Sequence, residues 1–146
     1  MRRRQSGVTL IELLIVVGIA GAMAVIVLPS FSSGLDSLRL SQASDSAAAF
    51  LNGALNRVER RRQVVELSIS PRENLILLRS ADNSFTRKFE MPDGVRVEGE
   101  ARRYLLLPGA APAGLGVQLV NRRGLRRVVT IDPITGAPKI ERIDTP

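Results

Sequence analysis

The sequence predicts an α+β fold: a long N-terminal helix in two parts, the second packed on an antiparallel β head. Three observations carry this. Residues 8–28 are apolar on every helical face. Residues 35–62 keep apolar side chains at helical spacing. From residue 65 onward, short alternating stretches are separated by turns rich in Pro, Gly and Asn, the pattern of half-buried strands.

The first element is VTLIELLIVVGIAGAMAVIVL, 21 residues with a single charge, Glu12. As a helix it spans about 31 Å, the thickness of a bilayer core. Arg2, Arg3 and Arg4 precede it, and basic residues keep their side of a membrane helix in the cytoplasm. A core helix of a globular protein would show a polar face, and this one has none. Two processing readings fit the block. A secretory signal peptide is cut after the apolar run at small residues, here Ala22-Met23-Ala24. The other reading cuts before the run, after Gly7, and keeps the helix.

Pro29 and Gly34 mark a joint where the helix leaves lipid. Beyond it Leu35, Leu38, Ala43, Ala47, Phe50, Leu51, Ala54, Leu55 and Val58 form an apolar stripe, with Ser, Asp, Gln, Asn and Arg between them. Unbroken from residue 8 to residue 62, the helix would reach about 82 Å.

The head follows as strands over 65–69, 75–79, 85–91, 95–100, 103–107, 115–120, 125–132 and 137–143. Pro92-Asp93-Gly94, Asn121-Arg122-Arg123-Gly124 and Asp132-Pro133-Ile134-Thr135-Gly136 are turn sequences. Residues 108–114 form a Pro- and Gly-rich loop. Such short connections favour pairing between successive strands.

Composition narrows the chemistry. The chain of 146 residues has no Cys and no His. Disulfides, thiolate metal sites, Cys nucleophiles and Ser-His triads are thereby excluded. No Walker loop, dinucleotide fingerprint or EF-hand string occurs. Glu98 and Glu100 share a strand face at i,i+2, and a solvent-facing charged strand is the simpler reading than an acid/base pair. The sequence predicts no catalytic residue, no metal site and no cofactor, and therefore no enzyme.

Glu12 needs an explanation. A carboxylate near the centre of a membrane helix costs about 2.5–3.5 kcal/mol. A cut between Gly7 and Val8 creates a cationic amine four residues away. Unit charges 4 Å apart at an effective dielectric near 20 gain about 4 kcal/mol. The amine could be its own or that of a neighbouring subunit.

Residues 7–14, Gly-Val-Thr-Leu-Ile-Glu-Leu-Leu, behind a short basic leader resemble the signature of type IV prepilins. The resemblance implies removal of residues 1–7 by a prepilin peptidase, N-methylation of Val8, and an assembly role for Glu12 with Thr9, Leu10 and Pro29. It implies partners among other pilin-like subunits, major and minor pseudopilins. It also implies a single-pass protein of the bacterial inner membrane, with a cytoplasmic N-terminus and a periplasmic head. On this reading residues 8–29 are the membrane helix, 30–62 the amphipathic continuation and 63–146 the head. Residues 50–67 and the hairpin 128–136 resemble GspH/FimT-type proteins. These include minor pseudopilins of type II secretion, which take part in protein export, and minor type IV pilins, which act in pilus assembly, adhesion or DNA uptake. The lack of cysteine favours the secretion branch, since many pilus subunits carry a C-terminal disulfide loop. A monomeric membrane-tethered binding protein is a third reading.

The formal charge is +7, falling to +4 once Arg2, Arg3 and Arg4 are removed. Arg57, Arg60, Arg61 and Arg62 cluster at a helix end, where cations complement the macrodipole. Arg122, Arg123, Arg126 and Arg127 flank a hairpin turn as a possible basic surface. Arg126 and Arg127 are neighbours in a strand and point to opposite faces. With one Tyr and no Trp, stacking on single-stranded nucleic acid has little support.

Overall fold

A computed structural model describes residues 9–110 and 112–143, with side chains for all of these except 26–33. The fold is α+β, a long helix followed by antiparallel sheets, as in pilin-like proteins. Helix α1 runs Leu10–Arg61, and eight strands follow: β1 Val65–Ser70, β2 Leu75–Ser80, β3 Thr86–Glu90, β4 Val95–Glu98, β5 Arg102–Leu106, β6 Gly116–Asn121, β7 Arg126–Ile131 and β8 Pro138–Ile143. The chain divides into two compact units, Met1–Leu35 and Asp36–Pro146.

In the first unit the helical backbone continues through Pro29 and Gly34. In the second, residues 36–61 of α1 supply one wall of the core. Leu40, Ala43, Ala47, Leu51, Ala54 and Val58 are all buried at the i, i+3, i+4 spacing of one helical face. The stripe expected from the sequence is corrected at its start. Leu35 and Leu38 are exposed, and Leu40 is the buried residue. Leu38 stands about 200° around the axis from Leu40 at 100° per residue, which takes it off the buried face. Ser44 is buried within the stripe, its hydroxyl donating to the Leu40 carbonyl at 2.7 Å. The helix stops at Arg62, which adopts a left-handed φ of 52°.

The strands form two four-stranded antiparallel sheets, ordered β3-β2-β1-β5 and β4-β6-β7-β8. Their inner residues, among them Leu67, Ile76, Leu78, Leu106, Val97, Leu119 and Val129, join the helical stripe in one core. All eight strands lie where the alternation placed them, within one or two residues at their ends. Pairing between successive strands holds for β1-β2-β3 and β6-β7-β8 but fails for β3-β4, β4-β5 and β5-β6. Around β4 the reason is local. Gly94 and Gly99 take positive φ of 87° and 105° at the two ends of β4, conformations that turn the chain out of a sheet at little cost for glycine.

Asn74, in the β1–β2 turn with φ 56°, then takes a strand partner's place along β4. Its carboxamide donates to the Val95 carbonyl at 3.0 Å and accepts from the Val97 N–H at 2.8 Å. β5 crosses back to pair with β1, Leu67 opposite Tyr104.

Two of the four edge strands, β3 and β8, each carry a Lys and a Glu two residues apart. Lys88–Glu90 lie at 2.7 Å and Lys139–Glu141 at 2.6 Å.

Candidate functional site

Two places on the chain concentrate unusual chemistry. The first is the start of α1. The Thr9 carbonyl accepts from the N–H groups of Glu12 at 3.1 Å and Leu13 at 3.2 Å, so Leu10 begins the helix and Glu12 lies in its first turn. There the helix macrodipole favours a carboxylate. Thr9 and Glu12 also stand at capping-box spacing, a signal in the sequence that the charge-based reading passed over.

Every described side chain from residue 9 to residue 25 is exposed. Leu10 is 81% exposed, Val25 74% and Met23 63%. A Cβ added at Gly18 or Gly21 would meet nothing within 4 Å, so the helix surface at these two glycines is open to a close neighbour. Gly7 and Val8 lie outside the described residues, as does the side chain of Pro29. Among the described residues no helix is long and apolar enough to cross a membrane. The described side chains of the apolar block end at Val25, and the block continues to Leu28.

The second place is the β6–β7 turn. Asn121, 4% exposed, organises it. Its side-chain oxygen accepts from the Arg123 N–H at 3.0 Å and the Leu125 N–H at 2.9 Å. Its amide nitrogen donates to the Asp36 carbonyl at 3.4 Å, which ties the turn to the first residue of the head unit. Gly124, φ 81°, completes the turn. Arg122 and Arg123 are exposed at its tip.

The other two arginines diverge. Arg126 donates from Nε to Glu98 Oε2 at 2.7 Å and from Nη2 to Glu98 Oε1 at 3.0 Å. Gln118 adds a bond to the same carboxylate at 2.8 Å. The Arg126 hydrogen bond, above all, holds the Glu98 carboxyl below its ordinary range, and the Arg126 guanidinium is shifted up in return. Arg127, on the opposite face, donates to the Ser41 hydroxyl of α1 at 3.0 Å. The four arginines therefore do not make one surface.

Glu98 and Glu100 do not make a working pair either. Glu98 is committed to Arg126, the positive φ of Gly99 breaks the strand between them, and Glu100 lies outside β4. Arg57, grouped by sequence with the helix-end cations, instead stacks over Phe85 at 3.5 Å. It lines a cleft with Phe50, Arg87 and Phe89, in which Phe50 and Phe89 stack at 5.6 Å. Among the described residues no group of three or more carboxylates gathers to hold a metal.

Asn121 and Asn74 are the residues that sequence reasoning missed. Only the strand arrangement shows what each carboxamide reaches.

The prokaryotic N-terminal methylation motif matches residues 2–28. This is the prepilin-type motif of type IV pilin-like proteins, and it implies processing by a prepilin peptidase and assembly with other pilin subunits. No curated protein and no solved structure matches the chain.

Proposed function

We propose that this chain is a minor pseudopilin of a type II secretion pseudopilus, a structural subunit rather than an enzyme. Residues 1–7 are its leader, cut after Gly7, and Val8 is the methylated N-terminus. Residues 8–29 anchor it in the inner membrane, residues 30–62 continue the helix and residues 63–146 complete a periplasmic head. The subunit takes part in filament assembly and so in protein export across the outer membrane.

One observation carries this reading. Within the stretch matched by the methylation motif, every large apolar side chain described, from Leu10 to Val25, is at least 54% exposed. Exposed apolar area is stabilised by burial at roughly 25 cal/mol per Å². Lipid serves this helix first and the helices of neighbouring subunits serve it in the filament. Glu12 in the first turn then meets the amine of Val8, its own or a neighbour's, and with Thr9 and Leu10 sets the register of assembly. Pro29 relaxes the helix where it leaves the bilayer.

N-terminal sequencing and mass spectrometry of the protein from membranes test the processing step. The expected mature chain begins at N-methylated Val8. A chain beginning at Ala24 or Val25 makes it an ordinary exported protein and overturns the proposal.

The exposed Arg122 and Arg123 support a second reading, a minor type IV pilin acting in pilus assembly, adhesion or DNA uptake. Deletion of the gene separates the two. Loss of secreted enzymes with intact pili supports the pseudopilin, and loss of piliation with intact secretion supports the pilin.

A further inference from the structure

We propose that the cleft between α1 and β3 binds an extended acidic segment of a partner protein. Its carboxylates meet Arg57 and Arg87, and its apolar side chains lie against Phe50, Phe85 and Phe89. The cleft lies wholly within the second unit, Asp36–Pro146.

Two periodicities build this groove. Ser46, Ala49, Phe50, Gly53 and Arg57 line it from the helix, at the three- and four-residue spacing of one helical face. Phe85, Arg87 and Phe89 line it from the strand and alternate, so they share one strand face. Arg87 lies opposite Leu78 and Phe89 opposite Ile76. Leu78 and Ile76 are buried in the core that α1 walls, so this strand face is the one turned to the helix. β3 is an edge of its sheet, and no further strand closes the groove on that side. Ser46, Ala49 and Gly53 are exposed, and a Cβ at Gly53 would meet nothing within 4 Å. The open volume is about 410 Å³.

The length suits a short stretch of extended chain. The helix rises about 17 Å from Ser46 to Arg57, and the strand runs about 13 Å from Phe85 to Phe89. About four or five extended residues cover that distance.

The charge suits carboxylates. Arg57 lies over Phe85 at 3.5 Å, and Arg87 over Phe50 at 5.8 Å. Among the described residues neither guanidinium pairs with a carboxylate, and Arg57 Nε is buried with no hydrogen-bond partner. A buried donor without an acceptor is costly, and a carboxylate beside a guanidinium accepts two parallel bonds. Phe85, which Arg57 covers, and Arg87 are alternate residues about 7 Å apart. Alternate side chains of an extended peptide have the same spacing, so two acids separated by one residue can reach both cations.

Single-stranded nucleic acid fits this cleft less well. Its bases need open aromatic faces. Here Arg57 covers Phe85, while Phe89 and Arg87 engage Phe50.

Fluorescence anisotropy of a labelled peptide, Gly-Ser-Glu-Leu-Glu-Phe-Glu-Gly-Ser, titrated with the full chain in a nonionic detergent tests the proposal. Saturable binding is expected. The same peptide with Gln for every Glu is expected to bind at least about tenfold more weakly, and Arg57→Gln and Arg87→Gln each to weaken binding about tenfold. Gly53→Leu fills the groove from an exposed helix position, where leucine is a better helix former than glycine. It is expected to abolish binding without lowering the thermal midpoint. Arg79→Gln, exposed on the other face of β2, is expected to change nothing.

An absence of saturable binding up to about 1 mM overturns the proposal. Equal binding of the Gln peptide, or undiminished binding to Gly53→Leu, does the same. So does a short oligothymidylate that displaces the peptide from the wild-type chain and fails to bind Gly53→Leu, because the cleft then serves nucleic acid.

Discussion

Arg126 and Glu98 are joined by two parallel hydrogen bonds, at 2.7 and 3.0 Å, although they sit on β7 and β4 with β6 between them. The pair fastens the outer face of one sheet across three strands. Its side chains are 31% and 33% exposed, so solvent screens it, and Glu98→Gln is expected to cost only about 0.5 kcal/mol. Urea titration of the purified protein checks the value.

The same carboxylate predicts an acid limit. Glu98, Asp82 and Asp132 all titrate below their ordinary values. Asp82 lies at about 2 because the Ser80 and Ser84 hydroxyls donate to it, and Asp132 is lowered by the N–H groups of Thr135 and Ile134. A depressed carboxyl stabilises the fold fully above its ordinary value and loses that contribution as pH falls through the folded value. Thermal midpoints are therefore expected to hold steady above pH 4.5 and to fall towards pH 2. A midpoint that rises over this interval contradicts the assignment.

Gly116 opens β6 where the strand presses on β7. A Cβ there would lie 2.8 Å from the Val129 carbonyl oxygen and 3.0 Å from Thr130 Cγ2. The first of these is backbone, so the strand pair must shift. Gly116→Ala is expected to destabilise the head by about 1–3 kcal/mol, read as a lowered thermal midpoint with the far-ultraviolet spectrum preserved.

Leu51 is wholly buried on the helix face that meets both sheets. Truncation there leaves a cavity that the surrounding strands cannot fill. Leu51→Ala is expected to cost about 3 kcal/mol, several times the cost of the Glu98 substitution in the same assay.

Glu12 is expected to behave in the opposite way. It is not one of the residues of the buried core, so Glu12→Gln is expected to leave the unfolding transition unchanged. The loss should appear in crosslinking to other pilin-like subunits in membranes. Full crosslinking in the variant removes Glu12 from the assembly mechanism.

Much of this architecture was legible because it is local. The alternation in VELSIS and GVQLVN reports burial on one side of a sheet, and each appears as a strand with alternating burial. The apolar stripe of α1 was legible for the same reason, except at its start, where Leu35 and Leu38 mimicked its spacing but stand exposed. The division into two sheets was not legible. It depends on Gly94 and Gly99 turning the chain and on Asn74 satisfying β4 from 21 and 23 residues away. No periodicity encodes a side chain standing in for a strand. The hairpin arginines show the same limit. Their neighbourhood was plain, but Glu98, Ser41 and Asp36 as destinations required the tertiary structure.

The Lys–Glu couples on β3 and β8 have a wider consequence. An outermost strand with bare amide groups invites the matching rim of another copy, the first step towards amyloid-like ribbons. Here each of those rims carries a cation and an anion that would have to shed water before two molecules could zip together. Pairing of two heads along β3 or β8 therefore carries a desolvation cost that guards those two edges against runaway stacking.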